Sequence, residues 1–176
     1  AFTDQGGFDG IVDRIPDMLD LGINTIWLMP IYDGPTIHGY AITDYFGFEE
    51  DYGTEQDFRN MMTALKKAGI RVILDFVVNH TSVQHPFMMN VLQYRDYSPW
   101  KDFYLWDGNP GNSKYEFYFN WDSLPNLNYQ NTDVHDYFID VATHWVKEYG
   151  IDGYRCDVAW ACRNDTASSG KSGGLR

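Results

Sequence analysis

At 176 residues the chain is long enough for one sizeable core and a small insert. Hydrophobic residues make up 44% of it, which excludes a disordered chain. A net charge of −12 with no basic run argues against nucleic acid and anionic membrane as partners, and no apolar run approaches the roughly 18 residues of a membrane span. Aromatics, at 17%, supply flat faces that suit sugar rings but fill cores equally well.

In chain order, Phe8, Ile11, Val12, Ile15, Met18 and Leu19 form a helical stripe that Pro16 should kink or restart and Gly22 should stop. Residues 23–30 then read as an apolar strand closed by Pro30, followed by a loop containing His38-Gly-Tyr40. Thr54 with Asp57 three residues on predicts a capping box. It opens a helix whose apolar face is Phe58, Met61, Met62 and Leu65 and which ends at Gly69. Residues 70–78 are a second strand, running into Asn79 and His80.

Residues 81–130 break this rhythm. Trp100, Phe103, Tyr104, Trp106 and the aromatics of 115–121 crowd between Gly and Pro, which predicts a loop-rich insert with its own aromatic core. A sustained i, i+3, i+4 pattern from Val134 to Tyr149 restores order, and Gly150 ends it. Leu21-Gly-Ile, Ala68-Gly-Ile and Tyr149-Gly-Ile thus repeat one junction, helix to Gly to strand, which is the mark of a right-handed α/β array with parallel strands. The division expected is 1–80 for the first part of a barrel, 81–130 for the insert, 131–160 for a further helix and strand, and 161–176 for a flexible or non-native tail. The tail's Gly170-Lys-Ser172 lacks the glycine and the strand of a phosphate loop.

The last strand holds the residues that demand chemistry. Arg155 and Asp157 share one face of Gly153-Tyr-Arg-Cys-Asp157, and Cys156 points the other way. One reading is a structural ion pair; the other is a carboxylate held ionised by a guanidinium, as a nucleophile must be. Cys156 and Cys162 have neither metal nor redox spacing, and Cys156 reads as a buried free thiol. Tyr40, His80 and Asp157 all follow C-terminal strand ends, where parallel α/β folds place their active groups.

At these residues the chain resembles the α-amylase family, glycoside hydrolase family 13, from about Phe2 to Trp160. Asp75-Phe-Val-Val-Asn-His80 and Gly153-Tyr-Arg-Cys-Asp157 match the motifs of its third and fourth barrel strands. Leu124-Pro-Asn-Leu-Asn128 matches the signature of its inserted domain, and His38-Gly-Tyr40 the loop after its second strand. The fold implied is a partial (β/α)8 TIM barrel, roughly strands 2–4 and helices 1–3, with the insert after strand 3.

The resemblance implies Asp157 as the nucleophile that forms a glycosyl-enzyme, with Arg155 orienting it. It places Tyr40 and His80 at the cleavage subsite, one stacked beneath the sugar and the other in contact with it. Asp75 joins this substrate-binding set, although an Asp inside a strand equally reads as a member of a structural network. Asn79 is a calcium ligand in some members, so a structural calcium is admitted while no cofactor is required. The substrates implied are α-glucans or maltooligosaccharides, hydrolysed or transferred with retention. Such chemistry needs two carboxyl groups roughly 5–5.5 Å apart. The family's acid/base Glu and later His-Asp pair have no counterpart here, and Glu116 and Glu148 do not fit. The chain therefore reads as an N-terminal half-barrel, inactive alone and prone to self-association. A rival reading is a non-catalytic carbohydrate-binding or interaction module on the same fold.

Overall fold

A computed structural model describes residues 6–108 and 114–158. The expected tail, with Trp160, lies outside the described residues. The first helical stripe is two helices, α1 (Phe8–Asp13) and α2 (Ile15–Asp20), with Pro16 in the first turn of the second, where its missing N–H costs nothing. Strand β1 (Thr25–Leu28) follows, then a long loop. Helix α3 (Glu55–Lys67) opens on the predicted box: Asp57 N–H donates to Thr54 Oγ1 at 3.3 Å and Thr54 N–H to Asp57 Oδ2 at 2.8 Å. Its buried residues are the four that the periodicity picked out.

Strand β2 (Arg71–Val77) leads into the insert, which contains helix α4 (Pro86–Tyr94) and a hairpin of β3 (Phe117–Tyr118) and β4 (Trp121–Pro125). Helix α5 (Thr132–Tyr149) and strand β5 (Gly153–Asp157) complete the described chain. Three strands form one parallel sheet in the order β1-β2-β5, with helices between successive strands, as in part of a TIM barrel. Gly22, Gly69 and Gly150 all have φ near +70° (73°, 75° and 68°). No atom would meet an added Cβ at any of them, so the repeated junction needs glycine for its backbone angle alone.

Two expectations are corrected. The insert is less loop-like than its composition suggests, because α4 starts on His85, whose ring nitrogen caps Phe87 N–H, with Pro86 at the first helical position. Nor, among the described residues, does the insert have a core of its own. Phe87 stacks on Trp100 at 3.8 Å and meets Tyr137 of α5 at 5.3 Å, so its rings join one continuous buried cluster. Among the described residues, no helix is long and apolar enough to cross a membrane.

Candidate active site

The parallel register decides which side chains meet. Asp75 pairs with Arg155 and Val77 with Asp157, so alternation puts Trp27, Asp75, Arg155 and Asp157 on one face of the sheet. Leu74, Phe76 and Tyr154 take the other, beneath α5, where the Tyr154 hydroxyl donates to the Ala142 carbonyl. The C-terminal end of β2 is held by tyrosine hydroxyls: Tyr32 donates to the Asp75 carbonyl, Tyr45 to those of Val77 and His80, and Tyr129 to that of Val78. These bonds fix the strand end from which Asn79 and His80 emerge.

On the inward face one arginine nitrogen joins two carboxylates. Arg155 Nη1 donates to Asp157 Oδ1 at 2.7 Å and to Asp75 Oδ2 at 2.9 Å. Asp75 is fully buried, and its Oδ2 also accepts from Trp27 Nε1 and from the Tyr40 hydroxyl, each at 3.2 Å. Among the described residues its Oδ1 is buried with no hydrogen-bond partner. Burial pushes the Asp75 carboxyl above the usual carboxylate range, Arg155 pulls it down, and Asp157 pushes it up again. Burial and Asp75 together raise the Tyr40 hydroxyl to about 12, so it stays a donor.

Asp157, its side chain 17% exposed, opens into a cleft of about 360 Å3 lined by His38, Tyr40, His80, Tyr118, Trp121, Leu124 and Asp157. Three of the residues expected at the site are therefore brought together. Asp75, expected among the substrate contacts, does not line this cleft: it has no exposure, and its Oδ2 accepts from Trp27, Tyr40 and Arg155.

His80 is equally tied up. Its Nε2 lies 3.1 Å from the Tyr40 carbonyl and its Nδ1 3.0 Å from Asn79 Nδ2, so the neutral ring donates through Nε2 and accepts at Nδ1. Burial holds its pKa down at about 4. The face of the ring lies against Tyr118.

Asn79 Nδ2 is also bonded to Asn126 Oδ1 at 3.0 Å. The segment Leu124–Asn128 runs beside 79–83, with Leu127 N–H on the Asn79 carbonyl and Val83 N–H on that of Ser123, so the insert's signature braces the His80 loop. Calcium wants many oxygen donors, carboxylates among them. The partners of Asn79 are a neutral amide and a neutral imidazole, and no group of three or more His, Cys, Asp or Glu among the described residues could hold a metal ion. The described residues thus show no acidic cluster for a calcium ion, and no step is routed through one.

Cys156, expected to be buried, is exposed. It sits on the outward face near the end of an edge strand, past the point where α5 covers Tyr154. Sequence reasoning named His38 only as part of a loop motif, and it did not place Tyr118 or Trp121 at the site. His38 stacks on Tyr40 and meets the edge of Trp121, whereas the aromatic density of 115–121 had suggested core. Trp27 had been read only as part of an apolar strand.

A family model described as alpha amylase, catalytic domain, matches residues 2–171. Alpha-amylase 2 of Dictyoglomus thermophilum is 38% identical over 154 residues, 88% of this chain and 26% of that protein. An intracellular maltogenic amylase of Bacillus subtilis is 36% identical over 155 residues, with the same coverage of 88% and 26%. Among solved structures, a cyclic alpha-maltosyl-(1→6)-maltose hydrolase from Arthrobacter globiformis, also solved in complex with maltose, superposes with a TM-score of 0.83 at 30% identity. That match covers 91% of this chain and 37% of the other. The chain spans about a quarter of the length of the two curated relatives.

Proposed function

The chain belongs to the α-amylase family of glycoside hydrolases, and we propose that it carries the nucleophile side of a retaining active site for α-glucans or maltooligosaccharides. The observation that supports this most is Asp157 itself: a carboxylate at a strand end, open to an aromatic cleft, with one oxygen held by an arginine that a second, buried carboxylate anchors. A merely structural ion pair would not need a cleft in front of it. A non-catalytic sugar-binding module would not need the chain from Asp75 through Arg155.

In the reaction the free Oδ2 of Asp157 attacks the anomeric carbon as the glycosidic C–O bond breaks. The departing oxygen takes a proton from a general acid, leaving a glycosyl ester on Asp157. Water or an acceptor hydroxyl then attacks the same carbon, losing its proton to that group, and Asp157 is released. Arg155 orients the carboxylate through Oδ1, and Tyr40, held by Asp75, presents its ring to the sugar. Among the described residues, no second carboxyl group lines the cleft. Glu116 has the raised pKa of an acid, through burial and Asp107, but its Oε2 is buried and it is not on the cleft.

The test is a graft of the Dictyoglomus relative's continuation after Trp160, assayed on a maltooligosaccharide with the product anomer followed by NMR. Retention, abolished by Asp157→Asn, is expected. Inverted product, or near-full turnover by Asp157→Asn, would end this reading.

A further inference from the structure

Trp27 stands mid-strand on the inward face, between Ile26 and Leu28, which point outward. It is 47% exposed among the described residues, and it is not among the residues that line the cleft, so a role as a sugar platform does not explain it. Its contacts are specific. The indole edge donates from Nε1 to Asp75 Oδ2, and the indole face lies under the Arg155 guanidinium, whose central carbon is 5.1 Å from the ring centroid. One side chain thus touches both the Arg155 guanidinium and the buried carboxylate that anchors it.

We propose that Trp27 is a positioning residue for the Arg155–Asp157 pair, clamping the guanidinium by its ring and the anchoring carboxylate by its N–H. This rests on the nucleophile role proposed for Asp157. An arginine has many rotamers, so its direction has to be held. Its bonds to Asp75 and Asp157 both leave from the single nitrogen Nη1, so neither carboxylate holds the face of the group. A flat ring beneath does. The N–H acts one step earlier. Among the described residues Asp75 Oδ1 has no partner, so the orientation of that carboxylate is set there by the three donors at Oδ2, of which Trp27 is one. The two contributions are separable: Trp27→Phe keeps an aromatic face and loses the donor, and Trp27→Leu loses both.

The experiment is NMR of the 176-residue chain with labelled arginine, reading the Arg155 guanidinium protons. In the native chain they should be shifted upfield by the indole ring and slow to exchange. Trp27→Leu should abolish the shift and speed exchange by about tenfold, what a well-formed cation–π contact is worth. Trp27→Phe should fall between, keeping part of the shift. In both variants the amides of Ile73 and Tyr154 should remain as protected as in the native chain. An unchanged guanidinium in Trp27→Leu would overturn the proposal, and so would equal loss of sheet protection in both variants, which would make Trp27 structural only. In the grafted enzyme Trp27→Phe should lower kcat several-fold at unchanged KM; a rise in KM alone would also overturn it. The guanidinium reading does not depend on glycosyl transfer, so loss of retention in the graft would remove the proposed function without touching the clamp.

Discussion

The outward and inward faces of β1, β2 and β5 differ as much as any two regions of the molecule. Outward, Val72, Leu74 and Phe76 are buried against helix side chains, with Phe76 edge-on to Phe138 at 5.8 Å. Inward, at the alternate residues, stand an indole, two carboxylates and a guanidinium in one hydrogen-bonded line. Alternation lets a single backbone keep its cohesion on one side and its reactive groups on the other, so a change on one face should leave the other nearly untouched.

The sharpest way to break that separation is at Asp157. Asp157→Asn should cost several orders of magnitude in turnover of the grafted enzyme, while its melting temperature in calorimetry stays within a degree or so of the parent. A fall in both would mean that the inward line also holds the fold. The converse is Leu74→Ala, one residue from Asp75 but fully buried on the other face. It should cost about 3 kcal/mol in denaturant unfolding. The Arg155 guanidinium signal should be unchanged in that variant; a shifted signal would show the faces to be coupled.

Acid probes the loops above the strands. His80 and His85 are both buried, and burial holds each pKa down at about 4 from 6.5. Above pH 6.5 both are neutral folded or unfolded, and no stability is lost. As pH falls from 6.5 towards 4 the unfolded chain takes up protons that the folded one refuses. Each histidine should therefore remove about 2 kcal/mol by pH 5, with the loss complete near pH 4. His85→Gln should flatten the fall in unfolding free energy between pH 7 and pH 5 by one histidine's share. An equal slope in that variant would locate the acid sensitivity elsewhere. The smallest effect belongs to a feature far from either face. Thr54→Ala removes one arm of the capping box on α3 and should cost about 1 kcal/mol, with no change in activity of the grafted enzyme.

Much of this was legible in the residues alone, for local reasons. A capping box, a helix restarted by Pro16 and three glycines that must turn left-handed are each decided within a few positions, where spacing and backbone sterics act directly. The same holds for Arg155 and Asp157, which share a face because a strand alternates, and for the place of Tyr40, His80 and Asp157 after strand ends. What tertiary structure alone decided was which faces meet. Trp27 and Asp75 are 48 residues apart, and Asp75 and Arg155 are 80. Only the register of three parallel strands brings them to one oxygen, and no periodicity carries register between strands. The insert followed the same logic: its aromatics read as a core of their own, but the position of α5 divided them between the shared core and the cleft. Cys156 is exposed for a matching reason, since alternation sets the direction of a side chain and only the packing of neighbouring elements decides whether anything covers it.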